Sequence, residues 1–183
     1  MLYTRKGDKG DTYFFGSKDR FSKSGERAEA LGALDELNSL LGFSKAKARE
    51  TNIKIGGQAL SDILEEVQQN LFIVQAAIAG ADKAISREKV DAVESIIDSI
   101  EKELSPISTF FLPGGTELSA LLDYARAVSR RAERQVVKYL EIGEIEVNPE
   151  LRSYLNRLSS LLYALARFVN LKSGVKEIPP TYQ

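Results

Sequence analysis

The sequence has no cysteine and no histidine. Without cysteine there are no disulfides, no thiolate nucleophiles, no cysteine zinc sites and no cysteine-held iron–sulfur clusters. Without histidine there is no Ser-His-Asp or Cys-His catalysis and no imidazole acid–base group. The Glu-x-x-His ligands of a di-iron helical bundle are excluded too. Any metal is left with oxygen ligands, which favours Mg²⁺ or Ca²⁺. No apolar run reaches the roughly 18 residues of a membrane span, so no membrane contact is expected. The opening MLYTRKGDKG lacks the apolar centre of a secretory leader, and the expected setting is the cytoplasm. An excess of one charge is also missing. Lys and Arg number 25 and Asp and Glu 26, a net charge of -1 that does not support a nucleic-acid partner.

What is present is an ordinary globular composition, with 43% apolar and 28% charged residues in 183, and a single domain over 1–183 is expected. Residues 1–25 differ from the rest. Gly7, Gly10, Gly16 and Gly25 stand among Thr, Asp, Lys and Ser, and the apolar residues there are mostly aromatic. This spacing predicts loop with one or two short strands. From Glu26 to about residue 48, Leu31, Leu34, Asn38 and Leu41 keep a helical stripe, and Gly56-Gly57 marks a break. A second helix spans about 60–81. Ser86 stands at the N-cap of a third, which runs to about 104. Residues 105–115, SPISTFFLPGG, cannot be regular helix. Thr116 caps a fourth helix to about 140, and a fifth runs from about 149 to 172. The tail, 173–183, is broken by Gly and Pro. The expected fold is all-α: a five-helix bundle over 26–172, preceded by a Gly-rich N-terminal loop segment.

Residues suited to chemistry gather in a few places. In Thr4-Arg5-Lys6-Gly7-Asp8-Lys9-Gly10-Asp11-Thr12, glycines let backbone N–H groups turn toward an anion while Lys, Arg and Thr add donors. Phosphate binding is one reading and a solvated turn the other; the Walker A pattern is absent. Arg126, Arg130 and Arg134 recur every four residues on the fourth helix, clear of its apolar stripe. Asp123 shares that face, and Arg131 and Glu133 flank it. Such a row either grips phosphate or carboxylate, or forms a solvated face or a salt-bridged subunit contact. On the fifth helix Asn156, Ser160, Tyr163 and Arg167 lie opposite the core stripe, facing a ligand, another subunit or solvent. Asp35 stands near the inward side of the first helix, where a carboxylate either finds a cation, an arginine of the fourth helix being the natural candidate, or reaches water. Phe110-Phe111-Leu112-Pro113-Gly114-Gly115 sets two aromatics beside a rigid turn, as a core plug or as an apolar wall for a large planar ligand.

Five segments together carry a resemblance. They are 3–10 (YTRKGDKG), 33–39 (ALDELNS), 110–115 (FFLPGG), 126–134 (RAVSRRAER) and 154–159 (YLNRLS). In this order and at about this spacing, from residue 2 to residue 170, the chain resembles the PduO-type ATP:cob(I)alamin adenosyltransferases, also called corrinoid adenosyltransferases. The resemblance implies a homotrimer of five-helix bundles with active sites between subunits. It implies ATP as co-substrate, Mg²⁺, and a corrinoid as the other substrate. It implies a reductase and a cobalamin-dependent acceptor enzyme as partners. Thr4, Arg5, Lys6 and Gly7 would wrap the triphosphate, with Thr12 and Lys23 nearby. Arg130, Glu133, Arg134 and Asn156 would face the nucleotide. Asp35 would pair with Arg126 at the active-site edge, and Phe110 would occupy the lower face of the corrin. The family often has Thr or Gly where this chain has Lys6, Asp11 and Tyr13. Placing Lys23 needs a gap, which leaves Lys18 as its rival.

The implied chemistry suits the absences. The nucleophile is Co(I) of the substrate, which attacks C5′ of the ATP ribose and expels triphosphate. That leaving group needs charge neutralisation rather than a proton, so no histidine base is required. A non-catalytic corrinoid carrier would instead bind ATP without releasing triphosphate, and a purely structural helical trimer would not bind ATP.

Overall fold

Leucines, valines and alanines at helical spacing build five helices, and the structure, a computed structural model, describes residues 3–14, 19–143 and 145–182 of the chain. The helices are α1 (Glu26–Ala48), α2 (Leu60–Ile78), α3 (Arg87–Glu101), α4 (Glu117–Glu141) and α5 (Pro149–Lys172). Four short strands accompany them. β1 (Asp11–Tyr13) and β2 (Arg20–Ser22) form one antiparallel pair, with Thr12 opposite Phe21. β3 (Lys54–Ile55) and β4 (Gln58–Ala59) form the other. The fold is thus predominantly α, as the periodicity predicts. α4 lies between α1 and α5, with α2 against α1 and α3 against α5.

α5 is the most enclosed helix. Leu151, Tyr154, Leu155, Leu158, Leu161, Leu162, Leu165 and Phe168 are all buried. On α4 the predicted stripe is Leu118, Leu121, Leu122, Ala125, Val128, Ala132, Val136 and Tyr139; all are buried except Leu121, which is half-buried, and the arginine row is left outside it.

The ends of α2 and α3 depart from the sequence expectation, and the expected break at Gly56-Gly57 takes a definite form. α2 ends at Ile78 rather than near 81, because Gly80 takes a left-handed φ of 86°. The Gly80 N–H then donates to the Ala77 carbonyl at 2.9 Å and the Ala81 N–H to the Ala76 carbonyl at 2.9 Å, closing the helix with a Schellman turn. α3 stops at Glu101, short of 104, and its N-cap Ser86 makes no side-chain bond to the helix backbone. The Ser86 hydroxyl instead bonds the Glu88 carboxylate, holding it below the usual carboxylate range. The Gly56-Gly57 break is a two-residue hairpin turn: both glycines have positive φ, 57° and 89°, as the twist of such a hairpin requires.

Thr116 caps α4 as predicted. Its hydroxyl accepts from the Ser119 N–H at 3.1 Å, and the Ser119 hydroxyl accepts from the Thr116 N–H at 2.8 Å. Replacing Thr116 by Ala leaves the Ser119 N–H without its acceptor, while the bond from the N–H of residue 116 to the Ser119 hydroxyl remains possible. We expect Thr116→Ala to cost about 1 kcal/mol, a fall in Tm of roughly 2–4 °C by thermal unfolding. An unchanged Tm would show that water replaces the cap at no cost.

Candidate active site

A cavity of about 670 Å³ opens between the α3–α4 loop and the outer faces of α4 and α5. The loop supplies Ile107, Phe110 and Phe111, α4 supplies Asp123, Arg126 and Arg130, and α5 supplies Ser160 and Tyr163. A second cavity of about 530 Å³ adjoins it, sharing Ile107, Ser160 and Tyr163 as a wall.

The two phenylalanines differ in exposure. Phe110 is 76% exposed and stands at the cavity as an apolar wall. Phe111 lines the same cavity but is half-buried, with the Arg167 guanidinium 5.1 Å from its ring centre. The turn after them is clamped from both sides. The Gly114 N–H donates to Asp123 at 2.9 Å, and Asn170 Nδ2 donates to the Gly114 carbonyl at 3.1 Å. Gly115 has φ 134°, and a Cβ there would meet Asn170 Oδ1 at 2.3 Å, so only glycine fits.

On α4, Arg126 is half-buried with its guanidinium 5.9 Å from the Tyr163 ring centre, and its buried Nε has no hydrogen-bond partner among the described residues. Arg130 and Arg134 are exposed, and among the described residues neither has a carboxylate partner. Arg134 donates only to the Arg130 carbonyl, at 3.0 Å. Beside them Asn156 Nδ2 donates to Glu133 at 3.1 Å, while Arg131 turns away to pair with Glu36.

The expected pairing of Asp35 with Arg126 is not formed within the chain. Asp35 is exposed and has no ion pair among the described residues. The reason is angular. Leu34, Leu37, Asn38 and Leu41 carry the buried face of α1, and Asp35, about 100° round from Leu34, points away from it. Of the alternatives open for Arg167, solvent exposure is excluded: the residue is 6% exposed.

The N-terminal segment is folded on itself. Arg5 sits at φ 58°, the Gly10 N–H donates to the Gly7 carbonyl at 3.2 Å, and Lys23 Nζ donates to that same carbonyl at 2.8 Å. Arg20 grips the Asp11 carboxylate and the Lys6 carbonyl and lies over the Tyr13 ring at 4.5 Å. Its guanidinium holds the Asp11 carboxyl below the usual range. Thr4, Arg5, Lys6 and Thr12 are thus set on one short hairpin and its leading turn; Lys18 lies outside the described residues. Arg27 anchors the hairpin to the bundle, with its guanidinium 4.4 Å from the Phe14 ring and its Nε donating to the Ile78 carbonyl at 3.1 Å.

This anchor puts the hairpin at the far end of α4, where Phe14 and Phe21 share a small cleft with Tyr139 and Ile142. Arg126 stands 13 residues earlier on that helix, roughly 20 Å away along its axis. The chain therefore brings Phe110, Asp123, Arg126, Arg130 and Tyr163 together, and Glu133, Asn156 and Arg134 beside them. It does not bring the N-terminal loop to the Phe110 cavity. Sequence reading noted Asp123 only as a neighbour of the arginines. Its role as acceptor for the Gly114 N–H leaves no spacing signal, because the partner is a backbone group in a loop.

Comparison with known proteins follows the same residues. The profile of the family described as cobalamin adenosyltransferase matches residues 2–169. The chain is 39% identical over 173 residues to the corrinoid adenosyltransferase PduO of Salmonella typhimurium, covering 91% of this chain and 48% of that protein. It therefore spans about half the length of that relative. It is 37% identical over 181 residues to the corrinoid adenosyltransferase of Bacillus subtilis, covering 97% of this chain and 90% of the other. Its fold is similar to a phenylalanine-to-histidine variant of a PduO-type ATP:corrinoid adenosyltransferase from Lactobacillus reuteri, solved with cobalamin and ATP. The TM-score is 0.86 and the identity 34%, over 99% of this chain and 97% of that one.

Asp123 offers a test of the clamp. Burial pushes its carboxyl above the usual range, against the opposing pull of the Gly114 N–H and Arg126. A carboxyl with a raised folded pKa favours the folded state fully below its unfolded value, near about pH 4, and loses that contribution as pH rises through the folded value. Asp123→Asn keeps an acceptor for Gly114 but has no charge to bury. We expect the Tm difference, variant minus wild type, to grow between about pH 4 and pH 7. A pH-independent difference would mean that Asp123 reaches water.

Proposed function

The chain belongs to the cobalamin adenosyltransferase family, and on that footing we propose that it transfers the 5′-deoxyadenosyl group of ATP to the cobalt of cob(I)alamin or a related Co(I) corrinoid. The cobalt lone pair forms the bond to C5′ as the C5′–O bond breaks, and triphosphate leaves with that electron pair. The observation that carries this reading is Arg130, an arginine without an acidic partner among the described residues, at a cavity that Phe110 lines from another element. An unpaired guanidinium is suited to an incoming anion, and an exposed aromatic to the face of a flat macrocycle. The Lactobacillus reuteri relative holds cobalamin and ATP together.

The residues then divide the work. Arg130 and Arg134 neutralise charge on the triphosphate, with Glu133 and Asn156 orienting the nucleotide. Thr4, Arg5, Lys6, Gly7, Thr12 and Lys23 wrap the phosphates from the N-terminal hairpin. Phe110 covers the lower face of the corrin. An apolar ring displaces water there without offering a lone pair, which leaves a four-coordinate Co(II) that is easier to reduce. Among the described residues no cluster of three or more Asp or Glu could cage a metal. Mg²⁺ is accordingly assigned to the phosphates of ATP, its common mode of binding in nucleotide sites.

The separation of the N-terminal hairpin from the Phe110 cavity supports a homotrimer in which one copy's hairpin completes another copy's site. The same arrangement gives Asp35, exposed on α1, an Arg126 of the partner subunit to pair with. A reductase supplies Co(I), a cobalamin-dependent enzyme takes the product, and the need for ATP beside a strong reductant suits the cytoplasm.

The decisive assay is anaerobic: purified protein, chemically reduced cob(I)alamin, ATP and Mg²⁺, followed by the Co(I) spectrum and triphosphate release. Loss of the Co(I) band with equimolar triphosphate and a light-sensitive product is expected. ATP binding without triphosphate release would instead favour a carrier. Arg130→Ala and Asn156→Ala should each lower kcat by about 100-fold or more with the helical circular dichroism unchanged. Wild-type turnover in both variants would overturn the site.

A further inference from the structure

Arg167 is a buried cation that the adenosyl transfer does not use. It is 6% exposed on α5, and its guanidinium meets Glu177, Ser105 and Phe111. Nε donates to both Glu177 carboxylate oxygens, at 3.0 and 3.1 Å, and Nη2 reaches Glu177 again at 2.9 Å. Nη2 also donates to the Ser105 carbonyl at 3.5 Å, and the plane of the group covers Phe111 at 5.1 Å. Glu177 belongs to the tail, not to the bundle. It reaches Arg167 because Gly174 takes a left-handed φ of 67° and the Val175 N–H donates to the Asn170 carbonyl at 2.9 Å, turning the chain back at the end of α5. One residue further on, the Ile178 carbonyl accepts from the Leu112 N–H at 2.8 Å.

The tail and Arg167 thus hold the α3–α4 loop at Ser105, Phe111 and Leu112, on both sides of Phe110. We infer that the Arg167–Glu177 pair is a latch that sets Phe110 against the corrin, so that both are positioning residues for the lower-face ligand exclusion. The inference rests on the corrinoid reading above. A buried ion pair is a weak source of stability, since an apolar pair of similar volume often serves as well. What an apolar pair cannot supply is the directed fork that orients one loop against one tail.

That contrast defines the variant. Arg167→Met combined with Glu177→Leu removes both charges together, so neither is left buried alone and the fold is retained. Glu177→Gln serves as the single-site companion, since Glu177 lies outside the helices. Two quantities are read. The first is turnover of chemically prereduced cob(I)alamin with ATP, in which cobalt is already Co(I) and needs no lower ligand removed. The second is the four-coordinate fraction of bound Co(II) cobalamin with ATP, by electron paramagnetic resonance. We expect the four-coordinate signal to fall to the level of Phe110→Ala while turnover of prereduced Co(I) stays near that of wild type. A wild-type four-coordinate signal in the double variant overturns the latch. Equal loss of both quantities also overturns it, because it marks general damage to the site. Failure of wild type itself to turn over prereduced Co(I) instead removes the corrinoid reading on which the latch rests.

Discussion

Between Leu161 and Asn170, α5 is enclosed by protein at every position except Tyr163, which is half-buried. A helix apolar on almost all sides must be surrounded, and α4 and α3 are the neighbours that surround it. The rest of the molecule follows from that enclosure. Tyr163 opens onto the cavity beside Arg126, and the two polar residues buried in that stretch, Arg167 and Asn170, both reach the α3–α4 loop. Burial without partners would be costly for both, so the loop is drawn to them. In this way the packing of one helix determines where Phe110 stands.

The loop itself depends on small, directed contacts rather than on a core of its own. Asp123 and Asn170 hold the two polar groups of Gly114, and Gly115 is the residue that lets the backbone pass Asn170. The tail completes the set through Glu177 and Ile178. A loop held at so many points leaves Phe110 little conformational freedom, and a group already ordered has less entropy to lose when anything packs on it.

The electrostatics of the site suit a chain without histidine or cysteine. Among the described residues the one carboxylate that lines the cavity is Asp123, which accepts from the Gly114 N–H. The residues there concentrate positive charge on α4, where Arg126, Arg130 and Arg134 share a row while Arg131, one step off it, is neutralised by Glu36. Arg130 and Arg134 have no carboxylate partner among the described residues, and an arginine already paired would have to lose that partner before it could bind an anion.

Helix number, helix faces and the arginine row were legible in the sequence, because each is a pattern within one element. Burial at 3.6-residue spacing needs only local geometry, and α5 from Pro149 to Lys172 and the Thr116 cap of α4 follow directly. Glycine and proline marked where the helices stop, though Gly80 closes α2 earlier than the stripe suggests. The tertiary structure alone decided which faces meet. It sent Glu177 back to Arg167 and kept the N-terminal hairpin roughly 20 Å along α4 from Arg126. Such contacts join residues with no shared period, and the energy that selects them comes from packing between elements, so no local pattern in the chain encodes them.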